Sequence, residues 1–161
     1  MQHVLRDRVV AITGGTAGIG RAIAELSIAE DASVVVNGRS EERGAALLAD
    51  LDAPGRTAFY PGSVLDREVV EGLVDFTVER FGTVDVMVLN AGGANQQAPV
   101  VELTDDEWEL CLRWNMTHAF WGMRRALHYM IPKRRGRIIA ISSKQGKIGR
   151  AGAGARLARR R

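Results

Sequence analysis

One cysteine, Cys111, is all this chain has, so it excludes an internal disulfide framework and a clustered cysteine metal site. No apolar run approaches the length of about 18 residues needed to span a bilayer, and no signal peptide opens the chain. The expected setting is therefore a reducing cytoplasm, with no membrane partner. Repeats and internal low-complexity segments are also missing before the last residues. Acid is missing from 147–161, where Lys147, Arg150, Arg156, Arg159, Arg160 and Arg161 supply six bases. Without those six, the 22 basic residues fall to 16 against 19 acids, so the net charge of +3 becomes −3 for residues 1–146. The basicity thus belongs to a Gly/Ala/Arg-rich tail, expected to be a solvated or disordered arm rather than a nucleic-acid grip.

What remains is an alternation of short β-branched runs and longer amphipathic stretches. RVVAIT (8–13), SVVVN (33–37), TAFY (57–60), VDVMVL (84–89) and RIIAI (137–141) are expected strands. Helices are expected over 18–30, with Ile19, Ala22, Ile23 and Leu26 at helical spacing, and over 41–51 behind an N-cap at Ser40. A third should run over 66–81 and stop at Gly82. A fourth should run from the Thr104 cap, with Glu107 three residues on, to about Met130. Strand–helix alternation of this kind predicts an α/β fold, a doubly wound parallel sheet with helices on both faces and one domain over 1–146.

The first strand ends in Thr13-Gly14-Gly15-Thr16-Ala17-Gly18-Ile19-Gly20 and a helix follows at once. Glycines there allow a sharp turn and let backbone N–H groups approach a pyrophosphate, while the helix N-terminus adds positive potential. Between a strand and an amphipathic helix, this spacing indicates a dinucleotide site. The end of the second strand bears on which dinucleotide. An acid there would accept from the adenosine ribose and repel a 2′-phosphate, but Asn37-Gly38-Arg39-Ser40 holds an arginine instead. Arg39 can pair with a 2′-phosphate and stack on adenine, or it can be a solvated loop residue. NADP is the favoured cofactor, with NAD the alternative.

Three segments, TGGTAGIG (13–20), Asn90-Ala91-Gly92 and Ile141-Ser142-Ser143, stand in order at the ends of three strands. Together they resemble the short-chain dehydrogenase/reductase family, in the general style of its 3-oxoacyl-carrier-protein reductases. The resemblance implies a Rossmann-like, NAD(P)-dependent oxidoreductase acting on a small alcohol or carbonyl substrate and assembling as a homo-oligomer. It further implies cofactor contacts at Gly14, Thr16, Gly18, Ile19 and Gly20, at Asn90, Ala91 and Gly92, and at Ser63 and Val64. The family's aspartate beside the adenine is replaced by Ser63. Ser143 matches the serine that hydrogen-bonds the reacting oxygen, and Asn115 the asparagine that supports a proton-relay water.

A larger departure lies beyond Ser143. The family places a tyrosine 13 residues on and a lysine four further; here those positions are Arg156 and Arg160. A guanidinium keeps its proton at neutral pH and cannot do a phenol's acid–base work. The resemblance therefore implies a C-terminally truncated member, its sheet incomplete at the C-terminal edge and its fifth strand exposed. Two function classes follow: an oxidoreductase lacking its acid–base pair, or a dinucleotide-binding remnant without turnover. A basic-tailed nucleic-acid binder rests on the arginines alone and stands third.

Overall fold

Valine-rich strands buried on both faces set the architecture. β1 (Val9–Ile12), β2 (Ser33–Gly38), β3 (Thr57–Pro61), β4 (Val86–Leu89) and β5 (Arg137–Ala140) form one parallel sheet in the order β3-β2-β1-β4-β5. The computed structural model describes residues 3–93 and 99–143 of the chain, so the tail expected at 147–161 lies outside the described residues.

Alternation along each strand feeds two cores. Val10, Ile12, Val34, Val36 and Val88 pack on one face with Ala24 and Ile28 of α1 (Gly18–Ala29) and Leu47 of α2 (Glu41–Leu51). Ala11, Val35, Met87 and Leu89 pack on the other with Leu73 and Val74 of α3 (Arg67–Phe81). A further stretch of helix joins that second layer. It comprises α4 (Asp105–Leu112), a π-helical turn (Arg113–Thr117) and α5 (His118–Met130), which contributes Ala126 and Met130.

The expected caps form. Ser40 Oγ accepts from the Arg43 N–H at 3.2 Å. Thr104 Oγ1 accepts from the Glu107 N–H at 3.3 Å while Glu107 Oε2 accepts from the Thr104 N–H at 2.9 Å, a full capping box. Gly82 closes α3.

Two expectations need correction. The buried side of α1 is Gly20, Ala24, Ser27 and Ile28, with Ile23 packed beside them, whereas Ile19 and Leu26 are exposed. The face is fixed by Gly20, where a Cβ would strike the Gly14 carbonyl, and the positions that follow it round the helix are Ala24, Ser27 and Ile28. The helix predicted as continuous from 104 to Met130 is instead widened at Arg113–Thr117. Asn115 Nδ2 donates to the Cys111 carbonyl at 2.8 Å, the acceptor an α-helix would give to the Asn115 backbone N–H.

Among the described residues β5 is a sheet edge. Ile138 packs towards α5, but Ile139, on the opposite face, is 47% exposed. α5 also shows solvent an apolar row, Phe120, Met123 and Leu127, preceded by Met116 in the wide turn. At the other end of the strands, the buried carboxylate of Asp85 holds three segments. It accepts from the Val9 N–H at 3.1 Å and from Arg135 Nη2 at 2.7 Å.

Replacing Asp85 with alanine strands the buried Val9 N–H and should lower the unfolding free energy by about 2–3 kcal/mol. Arg135→Ala should cost less, because its guanidinium is half exposed. Urea unfolding of both variants checks this; an Asp85→Ala midpoint equal to the parent's would show that the contact carries no stability.

Candidate functional site

From β1 the chain builds outward through β2 to β3, then returns to place β4 on the other side of β1. The reversal opens a crevice at the carboxyl ends of β1 and β4, where open α/β sheets take their ligands. A cleft of about 650 Å³ occupies it. The glycine loop, the end of β2, the turn after β3, Asn90 to Gly92 and Ser143 all reach its wall.

Thr13 and Asn90 make the crevice one body. The buried Thr13 hydroxyl oxygen accepts from the N–H groups of Asn90 and Ala91, at 3.0 and 3.1 Å. Asn90 Nδ2 returns two bonds, to the carbonyls of Thr13 at 3.2 Å and Gly14 at 2.9 Å. Thr13 was not singled out from the sequence; its place as the last residue before the glycines was the available signal.

The loop itself needs glycine at two positions for different reasons. Gly18 has a φ of +56° with open space where a side chain would stand. Gly20 has no space at all: a Cβ there would strike the Gly14 carbonyl and come within 2.5 Å of Asn90 Nδ2. Ala17 caps α1 without a side-chain hydrogen bond, and the first turn holds no acid. Backbone donors and the positive end of the helix dipole are thereby left for an anion. Gly14, Thr16 and Ile19 line the cleft beside them, with Ile19 exposed.

At the end of β2, Asn37 donates through Nδ2 to the carbonyls of Tyr60 and Gly62, both at 3.1 Å. Its Oδ1 is buried, has no hydrogen-bond partner among the described residues, and belongs to a residue on the cleft wall. That acceptor, the uncapped helix and the glycine cradle are features that a bound dinucleotide would satisfy. Arg39 is exposed on the same wall, with no carboxylate of the described residues paired to it. Ser63 and Val64 follow, with Ser63 Oγ accepting from the Leu65 N–H at 3.3 Å.

Ser143 reaches the cleft from the end of β5. Asn115 stands behind the wall. Its Nδ2 donates to the Gly93 carbonyl at 2.8 Å and its Oδ1 accepts from the Gly93 N–H at 3.1 Å, so the amide clamps the residue after Asn90-Ala91-Gly92. Trp114 lines the cleft together with Leu110. His118 is buried in α5.

Neither tyrosine reaches this wall. Tyr60 lies 5.3 Å from Phe76, ring to ring, and packs against the second core. Tyr129 donates its hydroxyl to Asp75 Oδ1 at 2.9 Å; that bond first, and burial second, hold its pKa above the usual phenol value. A general base needs the opposite shift.

A family model described as short chain dehydrogenase matches residues 8–155. The chain belongs to the short-chain dehydrogenase family. It is 37% identical over 144 residues to a 3beta-hydroxysteroid dehydrogenase of Mediterraneibacter gnavus, covering 89% of this chain and 52% of that protein. It is 32% identical over 149 residues to the 3-oxoacyl-[acyl-carrier-protein] reductase FabG of Thermotoga maritima, covering 92% and 60%. Among solved structures, a short-chain dehydrogenase/reductase of the glucose/ribitol dehydrogenase kind from Brucella melitensis superposes with a TM-score of 0.88 at 29% identity, covering 99% of this chain and 66% of that one. The chain thus spans about half to three-fifths of the length of the curated relatives it matches. Among its described residues no helix is long and apolar enough to cross a membrane.

Asn90→Ala should cost about 2 kcal/mol of stability by removing two half-buried hydrogen bonds. It should also weaken dinucleotide binding, since the loop would lose its tie to β4. Urea unfolding and NADPH fluorescence titration measure the two effects; unchanged NADPH affinity would show that the tie does not shape the cleft.

Proposed function

We infer that the chain binds NADP in this cleft, in preference to NAD, as the cofactor of a hydride transfer between an alcohol and its carbonyl. Arg39 carries this reading: it is the cation at the end of β2, where a ribose-binding acid would repel a 2′-phosphate. The glycine loop and α1 would hold the pyrophosphate, Ser63 and Val64 would flank the adenine, and Asn90 to Gly92 would lie beside the ribose. When bound, the nicotinamide accepts or returns the hydride.

Oxidation of the alcohol takes a hydride from carbon and a proton from the hydroxyl. Ser143 would hydrogen-bond that oxygen and orient it, and Asn115 would keep the neighbouring loop in register through Gly93. The proton needs an acceptor that neither Arg156 nor Arg160 can supply, and both tyrosines are engaged elsewhere. This observation favours a second reading, in which these 161 residues bind the dinucleotide without turning it over. The exposed row Phe120, Met123 and Leu127 supports self-association like that implied by the family resemblance.

The test measures affinity for NADPH and NADH in parallel with carbonyl-dependent NADPH oxidation. NADPH should bind more tightly, and Arg39→Ala should weaken NADPH about tenfold while leaving NADH unchanged. Equal loss for both dinucleotides would remove the 2′-phosphate role. Binding without oxidation selects the second reading, and steady oxidation refutes it.

A further inference from the structure

The methionines among the described residues fall into two pairs. Met87 of β4 and Met130 at the end of α5 are 0% and 4% exposed, sealed in the second core. Met116 in the π-helical turn and Met123 in α5 are 49% and 37% exposed. Close packing keeps a dissolved oxidant from the first pair and leaves the second pair open to it.

The exposed pair flanks Phe120. Met116, Phe120, Met123 and Leu127 follow one another at spacings of four, three and four residues, the repeat of a seam that packs against another helix. The same row on a second copy presents matching apolar surface. Cations border the row but are engaged elsewhere. Arg124 donates to Glu71 Oε1 at 2.7 Å and lies 4.9 Å over the Phe120 ring, and Arg113 lies 5.7 Å over the Trp121 ring.

We propose that Met116 and Met123 are oxidation sites through which a hydroperoxide governs the self-association of this chain. Each thioether sulfur takes one oxygen from the peroxide. An S–O bond forms as the O–O bond breaks, sulfur loses two electrons, and the remaining oxygen takes the displaced proton and leaves as water or an alcohol. The sulfoxide puts a polar acceptor where the seam needs an apolar side chain. Buried against a second copy, that oxygen would face Phe120 and Leu127, which have no polar hydrogen to donate, while Arg124 stays bonded to Glu71. Its desolvation therefore opposes association. The inference rests on the self-association reading above and adds a redox control to it.

The full chain is treated with hydrogen peroxide, mapped by peptide mass spectrometry and followed by sedimentation velocity. Met116 and Met123 should gain one oxygen about tenfold faster than Met87 and Met130, and the oxidised chain should associate about tenfold more weakly than the parent. The two methionine sulfoxide reductases, one for each epimer, should restore association. Cys111, the one thiol of the chain, is buried, and a leucine control separates its oxidation from that of the methionines. Met116→Leu combined with Met123→Leu keeps the row apolar, so this double variant should associate as the parent does and stay associated after peroxide.

Equal oxidation rates at Met87, Met116, Met123 and Met130 overturn the proposal, as does an oxidised chain that associates like the untreated parent. Loss of association by the leucine variant on peroxide treatment also overturns it, because the cause would then be Cys111 or a general loss of structure. Each of these outcomes defeats this inference alone. A parent chain that sediments as a monomer before any peroxide is added defeats the self-association reading and this inference with it.

Discussion

Thr13 and Asn90 are 77 residues apart in the chain, yet four hydrogen bonds join them and their neighbours across the crevice. Everything that could hold a ligand is measured from that join. It sets the glycine loop against the end of β4, presses Gly20 onto the Gly14 carbonyl and so aims the first turn of α1 across the cleft. A parallel sheet makes this necessary. Its strand ends carry no hairpin to hold them together, so side chains must do it where the winding reverses.

A second constraint builds on the first. Asn115 spends its whole amide on Gly93 and Cys111, and doing so widens the helix by one residue. Trp114, in the same wide turn, lies against Gly93 and lines the cleft. A single side chain thus couples the geometry of a helix to the shape of a wall about one turn away. The same logic holds at the opposite pole, where Asp85 gathers Val9 and Arg135 beneath the sheet. The shape of the cleft follows from the upper join, while the lower one ties the strands together at their other end.

Most of the fold was legible because its signals are local. Valine runs bounded by turns can only be strands, Ser40 and Thr104 cap through bonds three residues away, and Gly82 ends a helix by its own conformation. The glycine loop was legible for a related reason: glycine spacing after a strand reports a backbone requirement that no other residue meets. Where periodicity was the only guide it misled. The apolar positions Ile19 and Leu26 suggested one face of α1, but the contact of Gly20 with the glycine loop turned another face inward. The place of Trp114 on the cleft wall has no local signal, because aromatic residues on a helix carry no label for the surface they meet.

The sequence by itself determined the order of strands and helices, the glycine cradle, the charge at Arg39 and the arginines at 156 and 160, since each depends on residue type and spacing alone. Tertiary structure decided which side of each helix is buried, that Thr13 ties two distant strands, that both tyrosines are occupied and that Leu110 and Trp114 face the cleft. These are relations between segments dozens of residues apart. Packing chooses among faces that the local sequence leaves equivalent, and only the assembled sheet brings the choosing partners together.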